Sequence, residues 1–301
     1  MTWMRQCLTP LAALLAMVFV AYPVQAASPR IAVMSAFGPE LEALKAAAAH
    51  KRTVMIHGTS FILGELEGKP VVLVLSGVSM VNAAMTTQLM LDHFPIRAIV
   101  FSGVGGGVDP ALDVGDVVVA DRWGEYQETR YARETPTGFD VVGAGDGTGL
   151  AAFGMMVPRG VTVPKANGAL ERKTWFEADP GLLAVARSTA AKIELARCAV
   201  TACLAKPPRV VVGGNGVSGP TFVDNAAFRQ YAFTTFHARV LDMETAAVAH
   251  VASVNGVPFI AFRSLSDLAG GDPAKNQFAV FFRLAAENST RVVRGFVKAL
   301  P

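Results

Sequence analysis

Two short stretches near the end of the chain decide how the rest is interpreted: LDMETAA at residues 241–247 and RSLSD at residues 263–267. Residues 248–262 between them form an Ala/Val-rich run that leads into NGVPFIA. This pattern predicts a helix that ends at a glycine and then a short buried strand. One carboxylate is therefore placed at the start of a helix, and another just past the end of the next strand.

The acids in these stretches have two interpretations. In open α/β sheets, ligands bind outside the carboxyl ends of the strands, so two acids delivered to one rim indicate a site. Alternatively, Asp242 caps a helix, Glu244 is an ordinary acid of a first helical turn, and Asp267 caps the segment that follows. The spacing of these acids in the sequence does not decide between a ligand site and helix caps.

The order of elements predicts an α/β protein. Residues 30–36 are an apolar run typical of a buried strand, and Pro39 then suits the first turn of a helix that carries Glu40. Glu40 thus lies at a second strand-to-helix junction, where an ordinary first-turn acid is the alternative. Further strands and helices follow, up to a final amphipathic helix at residues 277–300.

Two glycine-rich segments are predicted to be turns, at residues 102–110 and 214–219. A glycine-rich turn after a strand can cradle phosphate or let a ligand approach the backbone closely. The first segment is not a dinucleotide-binding fingerprint, because the next strand begins near Asp116 and leaves no room for a crossover helix. Between residues 121 and 180 the periodicity weakens, which indicates a loop-rich insertion.

Composition favours one globular domain at residues 27–301. The chain is 52% hydrophobic and 17% charged, and its net charge of +3 is too small to predict nucleic-acid binding. The N-terminus carries Arg5, an apolar run at residues 8–21 and small residues before Ala26. This indicates a signal peptide at residues 1–26, with an uncleaved anchor as the alternative. The mature protein is expected to be periplasmic or secreted and to have no membrane segment.

Two cysteines remain after the predicted cleavage, Cys198 and Cys203. In an oxidising compartment they could pair, although two reduced thiols are an equal alternative because the intervening residues must bend sharply. No second cysteine pair and no nearby histidine accompany them, so a metal site is not expected. No cofactor motif is found.

Five motifs together carry a resemblance to a known family. GVSMVNAA at 77–84, SGVGGG at 102–107, LDVGDVVV at 112–119, and the two stretches quoted first resemble the nucleoside phosphorylase/nucleosidase superfamily. They are most similar to its methylthioadenosine/S-adenosylhomocysteine nucleosidase branch, including exported and plant storage-protein relatives. The resemblance covers most of residues 30–301. It implies a three-layer α/β/α fold with a central mixed sheet, a purine nucleoside as ligand, and a homodimer or larger homo-oligomer.

The resemblance also implies roles for single residues. Asp267 would protonate the purine ring nitrogen N7, and Glu40 would activate the attacking water. The residues expected to bind or position the substrate are Glu244 at the ribose hydroxyls, Met243 beneath the sugar, Phe222 stacked on the base, Arg263 and Ser266 beside Asp267, and Gly105.

Water is preferred over phosphate as the nucleophile. Phosphorylases of this superfamily hold phosphate with arginine side chains and a serine, whereas this chain has Phe101 and Val104 at the corresponding positions. A phosphate dianion needs charged donors. Two alternatives stay open, a phosphate-dependent phosphorylase and a binding protein without turnover. Val104 and Ser79 also depart from the usual nucleosidase pattern, and the insertion leaves the 5′ substituent undetermined.

Overall fold

The computed structural model describes residues 28–145, 147–165, 167–199, 202–272 and 274–301. The predicted signal peptide lies outside these residues. In chain order the elements are β1 Arg30–Ser35, α1 Gly38–Ala47, β2 Ala49–Ile56, β3 Thr59–Leu66, β4 Lys69–Leu75, α2 Met80–His93, β5 Ile96–Gly107, β6 Val117–Val119, β7 Arg122–Glu125, β8 Thr129–Tyr131, β9 Glu134–Thr135, β10 Gly138–Phe139, α3 Val141–Ala144, β11 Met156–Pro158, β12 Val161–Pro164, β13 Leu170–Lys173, β14 Trp175–Glu177, α4 Pro180–Ala190, β15 Val210–Val212, β16 Asn215–Ser218, α5 Ala226–Phe236, β17 Ala238–Asp242, α6 Thr245–Val254, β18 Phe259–Asp267 and α7 Phe278–Ala299.

A twelve-stranded mixed sheet forms the centre of the molecule. The main path runs β14-β7-β16-β17-β5-β1-β4-β3-β2, while β18 pairs with β5 and β6, and β15 pairs with β6. Strand β5 pairs in parallel with β1 and β18 and antiparallel with β17. Because β5 is shared by three neighbours, its second half lies where several strand ends meet.

Helices cover both faces of the sheet, as the predicted three-layer α/β/α fold requires. Residues of α2 and α6 pack with one apolar cluster of the sheet, and residues of α1, α4 and α7 pack with the other. The central strands are apolar on both faces, which is why they appear in the sequence as continuous hydrophobic runs. The α/β prediction is confirmed.

The glycine-rich segments are strands, so the two turn predictions are wrong. Strand β5 continues through Gly107, and β16 covers most of the second segment. The reason is packing: a Cβ added at Gly103 would lie 1.9 Å from Arg263 Nη1, and one at Gly216 would lie 2.6 Å from the Trp123 ring. Glycine is required here because neighbouring side chains press onto the backbone.

Residues 121–180 contain more regular structure than the weak periodicity indicates. Strands β7 and β14 pair with each other and join the central sheet. The intervening strands form three small two-stranded sheets. Such short strands carry too few residues to show a period of two in the sequence.

Cys198 and Cys203 form a disulfide, with their Cα atoms 3.9 Å apart. The sequence left this pairing open. The two residues also form an isolated antiparallel bridge, which places them opposite each other. Among the described residues, no helix is long and apolar enough to cross a membrane.

Candidate active site

Three acids from distant parts of the sequence line one cavity. The cavity has a volume of about 300 Å³ and is mostly apolar, with Glu40, Glu244 and Asp267 in its wall. The remaining lining residues are Ala36, Phe37, Val78, Val104, Gly105, Gly106, Thr221, Phe222, Val223, Leu241, Asp242, Met243, Ser266 and Phe278.

The fold brings the three acids together at strand ends. Glu40 lies in the first turn of α1, directly after β1. Glu244 follows β17 and precedes α6, while Asp267 is the last residue of β18. In the register of the sheet, Asp267 lies opposite Gly106, and Leu241 lies opposite the same glycine from the other side. The second half of β5 therefore forms the floor between two of the acids.

Glu40 is buried and held by three backbone donors. Its Oε2 accepts hydrogen bonds from Ala36 N at 2.7 Å and Phe37 N at 3.1 Å, and its Oε1 accepts one from Val104 N at 2.9 Å. Burial raises the pKa of Glu40, and the Arg263 guanidinium and these backbone donors oppose that rise. The carboxyl is thus fixed in place, with a proton affinity above that of an exposed glutamate.

Glu244 lies between a backbone donor and a guanidinium. Its Oε1 accepts a hydrogen bond from Ser79 N at 2.8 Å, and its Oε2 lies 3.7 Å from Arg263 Nη2. Burial, followed by the charge of Asp242, raises the pKa of Glu244 to about 7. Near neutrality this carboxyl is therefore partly ionised, and in its ionised form both oxygens act only as hydrogen-bond acceptors.

Arg263 is fully buried behind the cavity wall. Its Nε lies 2.6 Å from Asp242 Oδ2 and donates to Thr245 Oγ1 at 2.8 Å, and its Cζ lies 4.2 Å from the Phe101 ring centroid. Arg263 does not line the cavity, and its polar contacts are with Asp242, Glu244, Thr245 and Val104 rather than with Asp267, where the resemblance places it. It lies where it can balance the buried charge of Asp242, Glu244 and Glu40 together.

The two carboxyl oxygens of Asp267 differ in the hydrogen bonds that they accept. Oδ1 accepts hydrogen bonds from Ala269 N at 2.8 Å and Asn276 Nδ2 at 3.5 Å, whereas Oδ2 accepts one from Ser266 Oγ, at 2.9 Å. Burial raises the pKa of Asp267, against the hydrogen bonds from Ala269 and Ser266. A buried aspartic acid with one lightly occupied oxygen can hold a proton and release it to a ligand.

The other residues singled out from the sequence also line the cavity. Met243 lies beside Glu244, and Gly105 and Ser266 lie beside Asp267. Phe222 is 53% exposed and packs edge-on against Phe278, with ring centroids 5.6 Å apart. An exposed aromatic at a cavity mouth is available to stack on a planar ligand.

Two contacts were missed by sequence reasoning. The first is the Ser79 backbone N–H on Glu244, which no side-chain pattern reveals; Ser79 has a positive φ of 82°. The second is Asn276, whose amide reaches Asp267 across a loop. An asparagine just before the final helix is the only sequence feature that could have indicated it.

The chain belongs to the Phosphorylase superfamily, which it matches over residues 30–298. The resemblance drawn from the motifs is confirmed. More particularly, it is 31% identical over 270 residues to the 5′-methylthioadenosine/S-adenosylhomocysteine nucleosidase of Marinomonas sp. (strain MWYL1), covering 89% of this chain and 98% of that protein. It is 30% identical over 271 residues to the protein of the same name from Psychromonas ingrahamii, covering 90% and 99%.

Solved structures show the same likeness. The nucleosidase from Neisseria meningitidis in complex with methylthio-immucillin-A is 26% identical, with a TM-score of 0.67, and the match covers 91% of this chain and 100% of that one. The nucleosidase from Colwellia psychrerythraea 34H in complex with adenine is 25% identical, with a TM-score of 0.68, and the match covers 91% and 96%. The similarity therefore extends over nearly the whole of both chains.

Proposed function

We propose that this protein is a purine nucleosidase that hydrolyses the N-ribosidic bond of adenosine-type nucleosides. One observation carries the proposal: Glu40, Glu244 and Asp267 face a single cavity large enough for a nucleoside. The nucleosidases to which the chain is similar support the same reaction.

The acids divide the chemistry into three tasks. Asp267, whose burial favours the protonated form, donates its proton to N7 of the purine as the bond from C1′ to N9 breaks, so the electron pair of that bond leaves with the base. Glu244 accepts hydrogen bonds from the ribose hydroxyls. Glu40 removes a proton from water as the water oxygen attacks C1′ of the oxocarbenium-like sugar. Exchange with solvent then returns the proton from Glu40 and restores the proton on Asp267.

The cavity supports water rather than phosphate as the nucleophile. Among the described residues that line it there is no lysine, arginine or histidine. The backbone donors of Ala36, Phe37 and Val104, which could hold an anion, already bind Glu40. A phosphate dianion would meet a carboxylate where it needs a charged donor.

The reaction is tested by incubating the purified protein with adenosine, methylthioadenosine and inosine, with and without phosphate, and separating the products by chromatography. We expect release of free base and free sugar without phosphate. Activity that requires phosphate would establish the phosphorylase alternative instead.

The variant Asp267→Asn separates an enzyme from a binding protein. It should lower kcat by about 10²–10⁴-fold while nucleoside binding persists, because the amide cannot supply a proton. Asp92→Asn, an exposed residue on α2, is the matched control. Tight binding by the wild type with no turnover would overturn the proposed reaction.

We also propose that the protein is exported. The sequence pattern of residues 1–26 and the Cys198–Cys203 disulfide both support an oxidising compartment. Cell fractionation and N-terminal sequencing test the proposal. A mature chain that begins at Ala27 and lies outside the cytoplasm is expected.

A second copy of the chain is proposed to cover an apolar face beside the cavity. Val81 and Met85 are 70% and 65% exposed one turn apart on α2, and Val78, 46% exposed, leads from them into the cavity wall. Such a contiguous apolar face at a site is typical of a protein interface. A homodimer that buries it would enclose the cavity mouth.

A further inference from the structure

Asn276 joins three pieces of the cavity wall. It lies just before α7, and its Oδ1 accepts a hydrogen bond from Phe278 N at 2.9 Å. This hydrogen bond fixes the orientation of the amide group, so Nδ2 points away from Phe278 N. There Nδ2 donates to Asp224 Oδ1 at 3.2 Å and, at 3.5 Å, to Asp267 Oδ1. One side chain thus connects the acid, the loop after Phe222 and the start of α7.

The placement of these donors bears on where the Asp267 proton lies. Oδ1 faces two N–H groups, and neither can accept a proton. Among the described residues, the hydrogen-bond partner of Oδ2 is the Ser266 hydroxyl, which also lies 3.3 Å from the Gly105 carbonyl oxygen. A neutral Asp267 therefore holds its proton on Oδ2, donates it to Ser266 Oγ, and leaves the Ser266 proton to the Gly105 carbonyl.

We propose that Asn276 is a positioning residue that keeps Oδ1 unprotonated, directs the proton of Asp267 to Oδ2, and stabilises the carboxylate left after proton transfer. The inference rests on the proposed nucleosidase reaction. Asn276 does not line the cavity, so it acts through Asp267 rather than on the nucleoside. Its link to Asp224 also holds the segment that carries Phe222 next to the acid.

The isosteric variant Asn276→Asp gives the sharpest test. It keeps an acceptor for Phe278 N and so preserves the start of α7, but it removes the donor and adds a charge. We expect kcat to fall about 10-fold or more, the effect of one charge-assisted hydrogen bond, with a smaller change in KM. The alkaline limb of kcat/KM should shift to higher pH, because the variant favours the protonated form of Asp267.

The pH at which the alkaline limb of kcat/KM falls depends on every charge around Asp267. The charged groups that face it are Asp272 and Asp224 in the neighbouring loops, Arg229 of α5 beside Gly271 and Gly107, and Glu40 and Glu244 across the cavity. Asn276→Ala removes the donor without adding a charge, so it should shift the limb in the same direction by a smaller amount.

Two controls separate positioning from folding. Lys275→Ala alters the adjacent exposed residue and should leave kcat and the pH profile unchanged. Asp224→Ala breaks the link to the Phe222 segment and removes a negative charge near Asp267, so it should raise KM and move the limb, if at all, to lower pH, opposite to the shift in Asn276→Asp. Thermal melting confirms that each variant is folded.

The outcomes distinguish the two proposals. If the wild type releases base and Asn276→Asp leaves the alkaline limb in place, the positioning role is wrong while the nucleosidase reaction stands. An equal loss of kcat in Lys275→Ala would also overturn it. If the wild type binds nucleoside without turnover, the reaction itself fails, and the role of Asn276 fails with it.

Discussion

At the scale of single residues, Glu40 occupies a small anion site built by the backbone. Three N–H groups, from Ala36, Phe37 and Val104, converge on its carboxylate, and all three belong to the backbone of other residues. Truncating the side chain should therefore leave the donors in position. A small carboxylate from solution could then take the place of the missing group.

The variant Glu40→Ala should lose about 10²–10⁴-fold in kcat, the usual contribution of a general base. Added formate should restore part of that activity, because it fits the vacated donors and can accept the proton of water. Steady-state rates with increasing formate measure the recovery. Glu42→Ala, which alters an exposed residue of the same helix paired with Lys45, is the control and should stay fully active. If the Glu40→Ala protein is folded but formate restores no activity, the role of Glu40 as the base is contradicted.

Glu244 makes the stability of the protein depend on pH. Burial and Asp242 raise its pKa from 4.5 to about 7, so the native state holds a proton that the unfolded chain releases. The contribution of Glu244 to stability is therefore present below about pH 4.5 and is lost as the pH rises to about 7. Glu244→Gln stays neutral and removes this dependence.

Denaturant unfolding over this range measures the effect. As the pH rises, the unfolding free energy of the wild type should fall relative to that of Glu244→Gln. Glu42→Gln serves as an exposed control on α1. A constant difference between Glu244→Gln and the wild type at all pH values would show that Glu244 is ionised throughout.

At the scale of elements, β5 shows how a strand can be hidden in the sequence. Its second half, from Ser102 to Gly107, has four glycines and resembles a turn, yet it is buried between β17 and β18. Gly103 permits the close approach of Arg263 and Glu40, so its small size serves the site. This use of glycine depends on side chains far away in the sequence and cannot be derived locally.

Gly103→Ala tests this account. The added Cβ would lie 1.9 Å from Arg263 Nη1 and 2.8 Å from Glu40 Oε1, so the guanidinium must move. We expect a loss of about 1–3 kcal/mol in unfolding free energy, together with reduced kcat. Gly38→Ala, where an added Cβ meets nothing within 4 Å, should behave like the wild type. Equal behaviour of the two variants in melting and turnover would contradict the packing argument.

The elements that the sequence predicts well are those with long regular patterns. Helix α7 is predicted to within one residue at each end, because a long apolar periodicity marks it. The three acids are placed at strand ends for the same reason. The donors around them are not predictable: Ser79 acts through its backbone and Asn276 through a loop, and neither leaves a pattern in the sequence.

At the scale of the whole molecule, the disulfide lies in the segment between α4 and β15, beside a small apolar cluster. Leu204, next to Cys203, packs with Val114, Phe281 and Leu284. Closing a loop of six residues stabilises the folded state by about 2 kcal/mol in the chain-entropy account. For a chain of this size, with about 2.1 cal/mol/K of unfolding entropy per residue, that corresponds to about 3 °C in Tm.

Adding dithiothreitol to the wild type should lower Tm by this amount. The double variant Cys198→Ser/Cys203→Ser should melt at the lowered temperature with or without reductant, which controls for other effects of the reagent. Turnover should persist in the reduced wild type and in the double variant, because neither cysteine lines the active-site cavity. A wild-type protein unaffected by reductant would show that the cysteines are not paired in solution, and it would remove one support for export.

The apolar face of α2 tests whether the functional unit is larger than one chain. Val81 and Met85 point outward at adjacent turns, and exposing both to water costs free energy that a second copy would recover. The double variant Val81→Lys/Met85→Lys should shift sedimentation from dimer to monomer and raise KM, since Val78 carries the same face into the cavity. Val254→Lys, at the far end of α6, should change neither property. A wild type that sediments as a monomer at every concentration, with full activity, would show that one chain forms the complete site.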